Sequence, residues 1–130
     1  MNIYIHTGDT SLLRLMRRRY GRVNEVELSQ LVGDSAIDFD TGDLVMVDRI
    51  PEQGFYECKA SVIVVGARAD SADELQAARM GAVGFIPMPA SERLIAQAIS
   101  CVANGEVWMS RETIATVFAE YAGMLKKERV

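Results

Sequence analysis

Apolar positions along this chain fall into short runs separated by longer stretches with helical spacing. Residues 3–6 (Ile-Tyr-Ile-His) read as a first strand, and Leu12, Leu13, Met16 and Tyr20 then recur on one face of a helix. Residues 23–28 form a plausible second strand. Leu44-Val45-Met46-Val47 and Val62-Ile63-Val64-Val65 are unbroken apolar runs bounded by Gly42-Asp43 and Pro51, and by Gly66. Runs of this kind suit central parallel strands with both faces covered. Ser71 and Glu74 have the spacing of a capping box, opening a helix that carries Leu75, Ala78 and Arg79 and stops before Gly81. Residues 83–86 read as a fifth strand. Leu94, Ile95, Ala98, Ile99 and Val102 give the apolar face of the next helix, which stops near Asn104-Gly105. Strand and helix alternate five times, which predicts an α/β fold with a parallel sheet and right-handed crossovers. Beyond that, Ser110 is a good N-cap. Ile114, Val117, Phe118, Tyr121, Ala122 and Leu125 form a helical stripe too apolar for a free tail, so it packs on the domain or on a second copy.

Composition narrows the class. The 130 residues fit one domain with a sizeable core, and 49% hydrophobic with 25% charged residues is ordinary for a globular chain. The net charge of −4 argues against nucleic-acid binding by the chain as a whole. Arg14, Arg18 and Arg22 share a helical face, with Arg17 and Arg19 beside them, but no aromatics interleave; a solvated or partner-docking face is expected. Cys58 and Cys101 are far apart, lack CxxC spacing and sit among apolar residues, so buried free thiols are expected. His6 has no second histidine or cysteine near it and reads as a packed strand residue. No apolar run approaches the ~20 residues of a membrane span, no leader pattern follows Met1, and a cytoplasmic location is the expectation.

The segment Gly84-Phe85-Ile86-Pro87-Met88-Pro89-Ala90-Ser91, preceded by Ala78-Arg79-Met80-Gly81-Ala82-Val83, resembles the last strand of the receiver domain of bacterial response regulators. Gly42-Asp43-Leu44-Val45-Met46-Val47-Asp48 is similar to that family's third strand, which ends in the phosphate-accepting aspartate. The resemblance covers residues 1–105 and implies a flavodoxin-like (βα)5 fold with strand order 2-1-3-4-5. It places Asp48 at the acceptor position, with Asp43 also fitting the pattern. The family's adjacent acids fall on Gly8 and Asp9, its phosphate-contacting hydroxyl on Gly66, its aromatic switch on Phe85 and its lysine on Met88. One acid, the hydroxyl and the lysine are therefore missing, and Met88 brings an apolar side chain to the pocket. Phosphotransfer needs charge offset by a cation and a lysine; with Asp9 and Asp48 alone, magnesium is expected to bind weakly with extra waters. Asp9 also stands where an aspartate caps a helix. The family's lysine–proline bond is usually cis, and Met88-Pro89 is expected to be cis as well. The loop after Asp48 is short, so the helix around 53–59 is expected to shrink to a turn or two.

Asn104-Gly105-Glu106-Val107-Trp108-Met109-Ser110 resembles the segment that follows the last receiver helix in the NarL/FixJ branch, where a Gly-Glu-x-Trp-x-Ser pattern leads into a linker helix and a LuxR-type DNA-binding domain, and residues 106–130 are expected to form that linker and dimerisation helix. The resemblance implies a non-enzymatic, phosphorylation-independent regulatory module without a cofactor, forming the N-terminal part of a LuxR-type transcriptional regulator. Contact with DNA would need a domain outside this chain. Self-association is expected through the fourth helix, fifth strand and fifth helix of the family scheme, at Gln76, Arg79, Met80, Arg93, Gln97 and Cys101, with the 106–130 helix adding to the dimer. Three alternatives stay open: a working phosphoacceptor served by a histidine kinase at Asp48, a ligand sensor using the vacated pocket, and a single-domain adaptor.

Overall fold

Two aliphatic runs set the centre of the sheet. In the computed structural model, which describes residues 1–66 and 71–128, β3 (Leu44–Val47) and β4 (Ser61–Gly66) lie in the middle of a five-stranded parallel sheet. β1 (Ile3–His6) and the two-residue β2 (Asn24–Glu25) complete one side, and β5 (Gly84–Pro87) the other. The order is β2-β1-β3-β4-β5, a flavodoxin-like arrangement. Strand side chains alternate between faces. Leu44, Met46, Ile63, Val65 and Ile86 point to one face, where α1 (Thr10–Tyr20) adds Leu12 and Met16, and α3 (Glu92–Ala103) adds Ile95, Ala98 and Ile99. Val45, Val47, Val62, Val64 and Phe85 point to the other, which is covered by Ala77 of α2 (Ser71–Arg79) and by Leu31, Phe39 and Phe55 from irregular chain.

The regular alternation of strand and helix breaks on that second face. The link between β2 and β3 holds one 3-10 turn, Leu28–Gln30, closed by a capping box between Glu27 and Gln30. The second strand is shorter than 23–28 because Val26 still donates to Ile5 but the Glu27–Gln30 box then turns the chain away. Phe39 plugs the face instead, edge-on to Tyr4 with ring centroids 4.9 Å apart. Between β3 and β4 no helix forms at 53–59; two turns, Gly54 N–H to Pro51 and Cys58 N–H to Phe55, replace it. The reason is Gly54. It has φ +73°, and a side chain there would stand 2.8 Å from the Met80 carbonyl. This close approach lets Phe55 donate to Met80 at 2.7 Å and bury its ring against α2.

The chain after α3 does not trail away. Trp108 donates to Val83 and accepts from Phe85, both at 3.0 Å, so it forms a parallel bridge beside β5. Val107 points out, while Trp108 packs on the core. The helix α4 (Arg111–Glu128) then folds back onto α2. Residues 106–128 are thus laid on the 1–105 unit along β5 and α2. Among the described residues, no helix is long and apolar enough to cross a membrane.

Candidate functional site

Parallel strands end at one edge of the sheet, and that edge is where an open α/β sheet offers a site. Asp48 directly follows β3 there, held by its N–H to the His6 carbonyl at 3.1 Å. Its Oδ2 accepts from the Thr7 hydroxyl at 3.1 Å and from the Gly8 N–H at 2.8 Å. Its Oδ1 is buried and has no hydrogen-bond partner among the described residues. A Cβ at Gly8 would stand 3.9 Å from Asp48 Oδ2, so an acid at position 8 would sit beside Asp48, and glycine removes it. Thr7 was not legible as a site residue. A hydroxyl just past the first strand is the only sequence signal for it. It holds the carboxylate and also accepts from the Asp9 N–H at 3.0 Å.

Asp9 is the N-cap of α1. Its Oδ1 accepts from Ser11 at 2.9 Å and Leu12 at 3.1 Å, which satisfies two of the otherwise unpaired amides of the first turn. A magnesium ion requires near-octahedral oxygen ligation with several waters. Here one Asp9 oxygen is committed to the helix, Asp48 Oδ2 to Thr7 and Gly8, and Asp48 Oδ1 is shut away from solvent. No three His, Cys, Asp or Glu side chains converge among the described residues. The donor set does not fit the ion. Asp43 lies at the far end of β3, buried, accepting from Asn2 at 3.1 Å and Asp40 at 2.9 Å; it pins a turn and takes no part in the site.

The β4–β5 side of the edge is filled. Gly66 ends β4, and a Cβ there would lie 2.5 Å from Phe85 Cζ and 2.8 Å from Cε2. The Phe85 ring, 3% exposed, occupies the volume any side chain at position 66 would need. Met88 donates to the Gly66 carbonyl at 2.6 Å, and its half-buried side chain packs against the apolar cluster beneath α1 and α3. The Met88–Pro89 bond is cis, as expected. His6 Nδ1 is 2.9 Å from the Val26 carbonyl, consistent with a packed strand histidine.

The six expected interface residues do not share one open face. Gln76, Arg93 and Gln97 are exposed. Arg79 is held by Glu120 of α4 in a two-pronged pair with a 2.6 Å contact, and Met80 is half-buried over Gly54. The Cys101 thiol lies 3.5 Å from Glu106 and 3.8 Å from the Val107 carbonyl, and burial pushes its pKa up. Both cysteines are free and half-buried rather than fully buried. In the arginine stretch, Arg17 pairs with Glu25, and Arg18 and Arg19 with Glu92.

Glu74 does something the local pattern did not indicate. The Ser71 half of the expected capping box lies outside the described side chains. Glu74 accepts from the Ser110 hydroxyl at 2.5 Å, from the Ser110 N–H at 3.2 Å and from the Thr113 hydroxyl. Ser110 in turn caps α4 through the Thr113 N–H at 3.2 Å. Burial pushes the Glu74 pKa up, but the Ser110 and Thr113 hydrogen bonds together outweigh it and leave it below the ordinary carboxylate value. Compared with protein-family models and with curated proteins, the chain matches none.

Proposed function

We propose that this chain is a degenerate receiver domain: a regulatory module of a signalling protein, in the manner of the N-terminal part of a LuxR-type transcriptional regulator, that works without aspartyl phosphorylation. The observation that carries the reading is the Phe85 ring packed into the space above Gly66. A hydroxyl at that place and a mobile aromatic beside it are two parts such a switch needs, and the packing leaves room for neither. Three further features agree. Asp48 is tied to Thr7 and Gly8 through one oxygen while the other is closed off from an incoming group. Asp9 serves α1. Position 88 supplies no cation to offset phosphoryl charge, and loss of one such partner costs roughly 10²–10³ in rate.

The output of the module is then a protein surface, self-association first. Incubation with magnesium and a small-molecule phosphodonor such as acetyl phosphate, followed by intact mass spectrometry, tests the inactive site. No phosphoryl adduct is expected. An adduct that Asp48→Asn abolishes would overturn the reading in favour of a slow phosphoacceptor served by a histidine kinase. The one observation on that side is Asp48 Oδ1, a buried acceptor with no hydrogen-bond partner among the described residues.

A further inference from the structure

One face of the helix α4 packs on α2 and another does not. Thr113, Val117 and Glu120 face α2, with Thr113 buried and Glu120 on Arg79. The other face is bare. Ile114, Phe118, Tyr121 and Leu125 are 44%, 70%, 59% and 42% exposed. Their spacing of four, three and four residues is that of a heptad seam. Arg111 and Glu128 continue the seam by one position at each end, and neither enters an ion pair among the described residues. A groove of about 350 Å³ runs between this face and the rest of the chain, with Ala78, Ala82, Val83 and Val107 on one side and Ile114, Phe118 and Tyr121 on the other.

The exposed area is large for a monomer. Val107 adds 48% exposure to the four seam residues. At about 150–250 Å² for a large side chain, these five leave about 500 Å² of mostly apolar surface bare in each copy. That is in the upper part of what isolated proteins keep and more than half of the ~800 Å² per partner of a standard interface.

We infer that this seam is an interface with a second copy of the chain, the two α4 helices running antiparallel about a two-fold axis between Ala119 and Glu120. That register sets Phe118 against Tyr121 of the second copy, Ile114 against its Leu125, and Arg111 against its Glu128. Every layer is matched, apolar with apolar and cation with anion. A parallel pair would instead set Arg111 on Arg111 and Glu128 on Glu128, so charge selects the antiparallel form. Ala115 and Ala122, small residues on the open side of the seam, let the helices approach closely. The inference deepens the self-association in the proposed function and rests on it, but moves the surface from the Arg93–Gln97 face to the outer side of α4.

Sedimentation equilibrium on the full chain tests it. The wild type is expected to be a dimer. Phe118→Glu, at an exposed position, is expected to raise the dimer Kd by ~30-fold or more while far-UV circular dichroism stays unchanged. Should that variant misfold, the charge layer decides. Arg111→Glu is expected to weaken the dimer by about 3- to 10-fold at low salt, and adding Glu128→Arg to restore it. A monomeric wild type would overturn both the seam and self-association. A dimer that withstands Phe118→Glu but breaks on Arg93→Glu would overturn the seam alone. A dimer lost in Phe118→Glu but not restored by the double charge reversal would overturn the antiparallel register.

Discussion

Replacing Gly66 by alanine is the sharpest probe of the closed site, because the sign of its effect separates two states of Phe85. Gly66 lies in β4 with an unexceptional φ, so its backbone suits any residue. On conformational grounds alone, alanine at a backbone position it can adopt stabilises by about 0.4–1 kcal/mol relative to glycine. If the Phe85 ring is fixed as described, however, the added methyl meets Cζ at 2.5 Å and Cε2 at 2.8 Å, well inside any real contact. The ring is 3% exposed and packed with Val64, Ala77 and Ala82, so displacing it disturbs that packing. Overpacking of this kind costs about 1–3 kcal/mol. The clash outweighs the entropy gain, and a net loss of about 1–2 kcal/mol is expected in urea unfolding, with an unchanged m-value. Phe85→Leu removes the clashing edge. In the Phe85→Leu background, Gly66→Ala is expected to be neutral or stabilising, a coupling of about 1–3 kcal/mol in the double-mutant cycle. A stabilising Gly66→Ala in the wild-type background would refute the reasoning: the ring would then be free to swing aside, as a working switch requires.

Other consequences follow from the same residues. Asp9→Ala removes both cap bonds of α1 and is expected to cost about 0.5–2 kcal/mol in chemical denaturation; added magnesium is expected to leave the wild-type midpoint unmoved, whereas a rise lost in Asp9→Ala would restore a metal role. The helix α4 is held by two carboxylates, Glu74 on Ser110 and Thr113, and Glu120 on Arg79, and both have pKa values lowered in the folded chain. A lowered acid stabilises above its unfolded pKa, and that contribution is lost as pH falls through the folded value. Docking of α4 is therefore expected to weaken below the ordinary carboxylate range while the sheet core persists. Fluorescence of Trp108, the one tryptophan, reports it as an acid transition preceding loss of far-UV circular dichroism. A single coincident transition would contradict this.

What could be read in advance depended on whether a residue's partner was near in sequence. Leu44–Val47 and residues 62–65 declared themselves because strands buried on both faces leave no polar position to confuse the period. The caps Asp9 and Ser110 are local devices, and both stand where expected. The helix around 53–59 is expected from the sequence to shrink to a turn or two; two turns stand there, neither of them helical, because Gly54 permits a tight contact with Met80, 26 positions away, that no local pattern encodes. Glu74 fits a local capping rule, yet its strongest bonds go to Ser110 and Thr113 on another element. Trp108 beside β5 was hidden for the same reason: a single parallel bridge has no periodicity to detect. The positions of Asp48, Gly66 and Phe85 were readable from the resemblance. Their closure was not, since it depends on how a ring packs over a glycine on the neighbouring strand.

The most direct test of an inactive Asp48 site is an amide NMR titration with magnesium and beryllofluoride, a phosphoryl mimic, with Asp48→Asn as control. Resonances of Thr7, Gly8, Asp48, Gly66 and Phe85 are expected to stay in place at saturating reagent. Shifts spreading from Asp48 through Phe85 to α2, and absent in Asp48→Asn, would contradict the closed site and return the chain to the working phosphoacceptors.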